Sequence, residues 1–348
     1  MKKRIARLLL LWSLFFLISF GLGYPSLRRF DPRTTQGLSD SISYYAMVTG
    51  QPVGHYRADI FRCRILIPYI ARPLYLLASS RLNSWDAVFF GLLIANSLFA
   101  ASTAALIVAI GRKITGDANI GLIGATLYLL NFALPNLQLA GMVDAGESFF
   151  MLAVAWTLLT NRWPLLPLWG LLGPLAKETF LPFSSVFMLA WWLASAQQES
   201  EARVKRFLLI IATVCLSFIT LLAVRLAVLG HIVWPWEIAS QMSGHVDFFA
   251  GLWGCISDRG FWYVFVWLLP LGVWRLKVFP RAWVAATLAA AATAILFGAY
   301  NNMQGTVGRP VFDVAAPLLS LSTALLLTDI LRNSDDKKSV PPDRRDEG

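Results

Sequence analysis

Residues 1–23, MKKRIARLLLLWSLFFLISFGLG, place four basic residues directly before a long apolar run. The run is about as long as the roughly 20 residues that a helix needs to cross a bilayer. A signal peptide typically ends in an A-x-A cleavage site, and no such site follows this run. We therefore expect an uncleaved first span whose N-terminus lies on the cytoplasmic side, where Lys and Arg accumulate.

The whole chain shares the character of this segment. Of its 348 residues, 57% are hydrophobic and 14% are charged, and the mean hydropathy is +0.60. Such a composition indicates an all-α polytopic membrane protein, organised by the bilayer rather than by soluble domains. We expect one transmembrane domain over residues 1–332, followed by a polar and disordered cytoplasmic tail over residues 333–348.

Further apolar runs predict about ten transmembrane helices in total. After the first span, they lie near residues 86–111, 119–135, 146–160, 163–176, 180–196, 207–229, 260–275, 282–299 and 312–331. Residues 163–196 allow two topologies, because their two short runs share a proline-rich stretch. These could be two spans, or one span and a re-entrant segment.

If successive spans cross the membrane in opposite directions, five basic or polar segments lie on the same side as the N-terminus. They are GRK (111–113), NRW (161–163), EARVKR (201–206), RLKVFPR (275–281) and the tail DDKKSVPPDRRDEG (335–348). This agreement is the positive-inside pattern, so both termini are expected to be cytoplasmic. It also accounts for the net charge of +10 without a nucleic-acid partner.

Several classes of site have no support in the sequence. The cysteines Cys63, Cys215 and Cys255 are scattered without metal-ligand spacing, and the three histidines form no convincing metal site. The chain contains no P-loop, no GxSxG elbow and no dinucleotide fingerprint, which disfavours chemistry on soluble nucleotides.

In this topology, the polar residues that do not act as topology signals all lie on the outer side of the membrane. This arrangement predicts one outward-facing site. They are Asp40, Tyr44, Tyr45, Arg62, Arg64, Asp144, Glu147, Lys177, Glu178, His231, Glu237, His245, Asp247, Asn301, Asn302, Gln304 and Arg309. Arg225 and Asp313, the clearest ionisable residues inside apolar runs, lie near the outer ends of their spans. No charge marks the bilayer midplane, which disfavours an ion-coupled transporter.

The first outer loop, residues 25–85, is much longer than a connection needs, and such loops are usually functional or disordered. All eight of its basic residues are arginines. Arginine binds phosphate through two parallel hydrogen bonds, so the loop could hold a lipid phosphate; alternatively, its arginines simply reach the headgroups. Arg57, Arg64 and Arg72 fall in one sector of a helical projection, which predicts an amphipathic helix at the membrane interface.

Asp40 lies within GLSDSISYYAM (37–47), where Ser39 is a plausible N-cap and Asp40 a first-turn residue. The helix dipole favours a negative charge there, and a carboxylate can accept a proton. Tyr44, one turn later on the same face, could hydrogen-bond a substrate or stack on a sugar ring. Taken in isolation, Asp40 is better interpreted as a capping residue.

Two other groups are weaker candidates. Asp144 and Glu147 are three residues apart and could share a helix face for a divalent cation or sugar hydroxyls, although solvated acids at the end of a span are common. His231, Trp234, Trp236 and Glu237 resemble a carbohydrate platform, although tryptophans at this level are more often interface anchors.

Five segments together resemble the bacterial branch of the GT-C superfamily, polytopic glycosyltransferases that take sugars from polyprenyl-phosphate carriers. They are GLSDSISYYAM (37–47), YRADIFRCRILIPYIARPL (56–74), MVDAGESFFMLA (142–153), LLGPLAKETFLP (171–182) and VGRPVFDVAAPLLSL (307–321). The likeness covers most of the chain in order and spacing, but its motifs are short and degenerate.

The resemblance implies a role for individual residues where the motifs match. The acidic catalytic residue of the first outer loop maps to Asp40, which would act as general base in an inverting transfer. The resemblance also maps Arg64, Lys177, Glu178 and Arg309 onto positions of the family's motifs. The predicted substrate-binding residues are these four with Tyr44, Tyr45, Arg62 and Asp144. Among them, Arg62, Arg64, Lys177 and Arg309 could be the cations that hold the donor phosphate. The superfamily often carries paired acids in this loop, whereas the acid nearest to Asp40 is Asp31. No cofactor is therefore certain, and a divalent cation stays open.

The expected partners are a polyprenyl-phosphate sugar donor, membrane lipid and an acceptor glycan, lipid or protein. The expected location is a bacterial inner membrane with a periplasmic active site. Two alternatives remain: a carrier or flippase for lipid-linked sugars, and a noncatalytic membrane subunit of a glycan-assembly complex.

Overall fold

A computed structural model describes residues 2–28, 40–51, 59–81, 86–139, 141–195, 200–235, 237, 247–265, 268–301 and 307–338. Its α-helices are, in chain order, α1 (Lys2–Gly23), α2 (Ser41–Thr49), α3 (Leu66–Ala78), α4 (Ala87–Thr115), α5 (Ala118–Leu129), α6 (Asp144–Leu159), α7 (Leu166–Ala176), α8 (Phe180–Ala194), α9 (Ser200–Leu229), α10 (Phe248–Ser257), α11 (Arg259–Phe265), α12 (Leu268–Gly272), α13 (Arg281–Tyr300) and α14 (Gly308–Lys338). Short 3-10 helices cover Tyr24–Arg28, Asp59–Cys63, Trp163–Leu165 and Val273–Val278, and a π-helix covers Leu134–Gln138.

Five helical segments are long and apolar enough to cross a membrane. They are Ile5–Leu27, Ala87–Thr115, Glu201–Leu229, Arg281–Tyr300 and Gly308–Arg332. Five shorter apolar helices accompany them, and no strand occurs among the described residues. The predicted class, an all-α polytopic membrane protein, is confirmed. The exposed leucines of α1 and α9 are typical of helices whose outer faces contact lipid.

Local sequence signals set the ends of α4. The carboxylate of Asp86 accepts hydrogen bonds from the backbone N–H groups of Val88 and Phe89, at 2.8 and 3.1 Å. At the other end, Gly116 adopts a left-handed φ of 75°, and its N–H donates to the carbonyl of Arg112. These are a side-chain N-cap and a glycine C-cap, which satisfy backbone groups that a helix end leaves without partners.

Several elements differ in detail from the predicted runs. Residues 260–275 contain α11, α12 and part of a 3-10 helix, and Pro270 lies within this region. The amphipathic helix of the first loop covers only 66–78, so Arg64 precedes it, and Arg57 lies outside the described residues. Helix α14 continues to Lys338, six residues into the predicted disordered tail, because extending an existing helix costs little; residues 339–348 lie outside the described part.

Helix α6 is the centre of the bundle and packs against α4, α7, α8 and α14. It is buried on nearly all sides, including its first turn with Asp144 and Glu147. Helices α7 and α8 are two separate helices, joined by the turn of residues 177–179. This turn reaches the beginning of α6, so polar side chains from the two elements meet inside the protein.

Close packing around α7 depends on glycine. A Cβ atom added to Gly173 would overlap the ring of Phe180 in α8, and one added to Gly146 would lie 2.9 Å from the Cβ of Ala176. Small residues therefore let α6, α7 and α8 approach closely.

We expect Gly173→Ala to lower the free energy of unfolding by about 1–3 kcal/mol, because the added methyl group must displace a buried aromatic ring. SDS titration of the purified protein would measure the loss. The matched control is Gly21→Ala in α1, where nothing lies within 4 Å of the added atom. Equal stability of the two variants would contradict the packing argument.

Candidate active site

A cluster of charged side chains forms where α2, α3, α6, α8 and α14 begin. Asp40 immediately precedes α2, Arg64 lies two residues before α3, Asp144 begins α6, Lys177 and Glu178 precede α8, and Arg309 is the second residue of α14. We call these residues, with Tyr44, Glu147 and Asp313, the ionic cluster. Seven of the nine sequence-predicted catalytic or substrate-binding residues belong to it, through the ion pairs and hydrogen bonds described below.

The guanidinium of Arg64 is held by a carboxylate across the bundle. Its Nε and Nη2 atoms donate to the two oxygens of Glu178, at 2.8 and 2.5 Å. Its Nη1 atom donates to the hydroxyl of Tyr44 at 2.7 Å, and the group also lies over the ring of Phe61. The planar fork is therefore engaged within the protein, with a geometry that lysine cannot reproduce.

Asp40 lies at the outer edge of the ionic cluster. Its Oδ2 atom is 3.7 Å from Nη1 of Arg64, and 16% of its side chain is exposed. The structure makes Asp40 the N-cap residue of α2, one position earlier in the helix than predicted, yet its side chain forms no capping hydrogen bond. Capping therefore does not explain the carboxylate, which faces Arg64 instead.

Lys177 occupies the centre of a second group. Its ammonium lies 2.7 Å from Oδ1 of Asp144 and 2.7 Å from Oε2 of Glu147. Thr179 donates a hydrogen bond of 2.6 Å to Oε1 of Glu147, and Nη1 of Arg309 lies 3.8 Å from Oδ2 of Asp144. Asp144 and Glu147 are buried, at 1% and 0% exposure, so the alternative of solvated acids does not apply to them.

Asp313 adds a third buried carboxylate beneath this group. Its Oδ1 atom accepts hydrogen bonds of 2.5 Å from Gln138 and from Ser148. Ligand atoms of Asp144, Glu147 and Asp313 lie within 4.8 Å of one another. Gln138, Ser148 and Thr179 are not among the residues that the sequence predicted for the site. Ser148 follows Asp144 by four residues, so helical periodicity could have placed it on the same face.

Burial and neighbouring charges act in opposite directions on the ionisable groups of the turn at 177–179. Burial by itself lowers the pKa of Lys177, but the carboxylates of Asp144 and Glu147 raise it well above its ordinary value. Burial raises the pKa of Glu178, whereas the guanidinium of Arg64 lowers it below its ordinary value. Both groups are therefore charged at neutral pH. Burial also raises the pKa of Tyr44, so its phenol keeps its proton.

The other predicted residues lie elsewhere. The hydroxyl of Tyr45 donates to Asp86 at 3.3 Å, which ties α2 to α4. Arg62 is half-buried in the 3-10 helix of residues 59–63. Glu237 accepts from the backbone N–H of Trp234, and Asp247 caps α10. Trp236, His245, Asn302 and Gln304 lie outside the described residues, as does Asp31.

The chain matches no protein-family model and no curated protein. It is similar to a solved structure of the archaeal oligosaccharyltransferase AglB from Archaeoglobus fulgidus, in complex with an inhibitory peptide and a dolichol-phosphate. The TM-score is 0.48 and the identity 11%, over 99% of this chain and 53% of that one. This chain thus spans about half the length of AglB. At these values the likeness assigns no activity, substrate or residue role to this chain.

Proposed function

We propose that this chain is a GT-C-type membrane glycosyltransferase that transfers a sugar from a polyprenyl-phosphate donor to an acceptor hydroxyl. The observation that carries the proposal is the position of Asp40, a partly exposed carboxylate that faces buried Arg64 and does not cap its helix. A carboxylate that is held in place yet reachable is what a general base requires.

In the proposed reaction, Asp40 accepts the proton of the acceptor hydroxyl while the hydroxyl oxygen attacks the anomeric carbon of the donor. The bond between that carbon and the phosphate oxygen breaks, and the carrier phosphate leaves with the electron pair. Because this is one direct displacement, the configuration at the anomeric carbon inverts. The step requires no oxidant, reductant or covalent intermediate.

Arg309 is the best candidate for binding the donor phosphate. Arg64 already binds Glu178 through two hydrogen bonds, and Lys177 contacts two carboxylates. Arg309 has the more exposed side chain, at 21%, and its ion pair with Asp144 is long, at 3.8 Å. Its guanidinium can therefore reach a phosphate without breaking a short ion pair. Arg64 and Lys177 then position the site, and Arg62 stays a predicted phosphate ligand.

A groove between α3 and α4 suits the carrier lipid. It is lined by Leu74, Leu77, Ala78, Arg81 and Phe90. Helix α3 also exposes Tyr69, Leu76 and Leu77, as expected of a helix that lies against the membrane interface. An isoprenoid chain would contact the apolar residues of the groove. The charge pattern of the loops supports an arrangement in which the site faces the periplasm of a bacterial inner membrane.

The decisive experiment incubates purified protein in detergent with a panel of polyprenyl-phosphate sugars and candidate acceptors. Transfer is detected as release of the carrier phosphate. Translocation of labelled lipid in proteoliposomes without an acceptor would support the carrier or flippase instead. Absence of both activities, with an effect only in a reconstituted assembly, would support the noncatalytic subunit.

We expect Arg309→Gln to raise the KM for the donor at least roughly tenfold, because a hydrogen bond to a charged group contributes about 1.5–3 kcal/mol. Initial rates of phosphate release over a donor series would measure it. The matched control is Arg332→Gln. Arg332 is an exposed arginine near the other end of α14, where it pairs with Asp117. Equal KM values in the two variants would exclude Arg309 as a phosphate ligand.

A further inference from the structure

The resemblance to the GT-C superfamily leaves a divalent cation open, and the carboxylates of Asp144, Glu147 and Asp313 would be its natural ligands. We infer that the ammonium of Lys177 is the resident cation of this group, and that the site therefore binds no divalent metal ion. Exclusion of a divalent ion by Lys177 does not depend on the proposed function, whereas its consequence for catalysis rests on that function.

The position of the ammonium argues against a metal ion beside it. Nζ of Lys177 is 2.7 Å from one oxygen of Asp144 and 2.7 Å from one oxygen of Glu147. Mg²⁺ requires oxygen ligands at about 2.1 Å in near-octahedral geometry. A metal ion held by these two oxygens would lie against the ammonium, and the two positive charges would repel each other. Lys177 would have to leave before the metal ion could bind.

The carboxylate oxygens that Lys177 does not contact are too few to bind a metal ion at another position in this group. Oε1 of Glu147 accepts from Thr179, and Oδ1 of Asp313 accepts from both Gln138 and Ser148. Oδ2 of Asp144 and Oδ2 of Asp313 are left, both buried and without a hydrogen-bond partner. Two oxygens, one of them facing Arg309 at 3.8 Å, fall short of the coordination that a divalent ion needs.

The backbone delivers Lys177 to this position. Helix α7 ends at Ala176, and Lys177 adopts an extended conformation with φ −162° and ψ 138°. Its N–H donates to the carbonyl of Gly173 at 3.2 Å. Gly146 allows Ala176 to approach α6 closely, which brings the lysine beside Asp144 and Glu147. The cation is thus covalently attached and cannot be removed by a chelator.

Removal of the lysine should create the metal site that the wild type lacks, because three buried carboxylates then face an open space. The probe is Mn²⁺ alone, followed by electron paramagnetic resonance and by thermal unfolding of the full chain in detergent. We expect wild type to bind no Mn²⁺ and to keep its Tm in EDTA. We expect Lys177→Ala to bind Mn²⁺ stoichiometrically, with a Tm that rises as Mn²⁺ is added.

Two further variants keep the inference testable if Lys177→Ala does not fold. Lys177→Arg keeps the positive charge and should remain insensitive to Mn²⁺. Asp329→Asn removes an acid of the partly exposed pair with Arg275 and should behave as wild type. The inference would be overturned if wild type bound Mn²⁺ stoichiometrically, if EDTA removed that Mn²⁺ and lowered the Tm, and if Asp144→Asn bound none. This outcome is independent of whether sugar transfer is found. If transfer is found, EDTA should leave its rate unchanged.

Discussion

Replacement of Asp40 by asparagine should reduce turnover by about 10²- to 10⁴-fold, the usual contribution of a general base. The amide has nearly the shape of the carboxylate but cannot accept the proton of the acceptor hydroxyl. Asp40 lies 3.7 Å from Arg64 and its side chain does not cap α2, so the substitution removes no helix cap and leaves the two hydrogen bonds between Arg64 and Glu178 in place. We therefore expect the Tm and the donor affinity to remain close to wild type.

The measurement is the rate of carrier-phosphate release at saturating donor, compared with Asp247→Asn, which alters an exposed acid at the start of α10. Turnover of Asp40→Asn near the wild-type rate would refute the assignment of the base. A large loss of Tm together with the loss of turnover would instead indicate that Asp40 is structural.

The other acids of the ionic cluster are poorer candidates for the base. Both oxygens of Glu178 accept hydrogen bonds from Arg64, although its side chain is about as exposed as that of Asp40. Asp144 and Glu147 each contact the ammonium of Lys177, and both are buried. A carboxylate in such contacts would have to break them before taking a proton. Asp40 is partly exposed, and its Oδ2 atom lies 3.7 Å from the guanidinium of Arg64.

The fold class and the approximate positions of the helices could be predicted because apolar runs and helix-capping residues are local signals. Asp86 and Gly116, for example, bound α4 through contacts within a few residues. Alternation of the spans also brought Asp40, Arg64 and Lys177 to the same side of the predicted topology.

The pairing of charges could not be predicted, because it depends on contacts between distant elements. Arg64 and Glu178 are separated by 114 positions, and nothing near either residue indicates that they meet. Considered singly, Arg64 and Lys177 were both expected to hold phosphate. In the structure each is already neutralised by carboxylates, so Arg309 is the better candidate for binding the donor phosphate. The same limit applies to Asp313, whose partners Gln138 and Ser148 lie on other helices.

Arg64→Ala should lower the free energy of unfolding by about 3–5 kcal/mol, because it leaves the largely buried carboxylate of Glu178 without its counter-ion. Burial raises the pKa of Glu178, and Arg64 is the main group that lowers it. Arg64→Lys should recover only part of the loss, since a compact ammonium lacks the planar fork whose Nε, Nη1 and Nη2 atoms meet Glu178 and the hydroxyl of Tyr44. SDS titration would measure these variants.

The double variant Arg64→Met/Glu178→Met separates a structural role from a phosphate-binding one. If Arg64 mainly neutralises Glu178, the double variant should lose much less free energy of unfolding than the single variant Arg64→Met. The double-mutant cycle, closed by Glu178→Met, then gives a large coupling energy. If Arg64 mainly binds the donor, Arg64→Ala should instead raise the donor KM with little loss of stability, and the coupling energy should be near zero. The bidentate contact with Glu178 at 2.8 and 2.5 Å favours the first result.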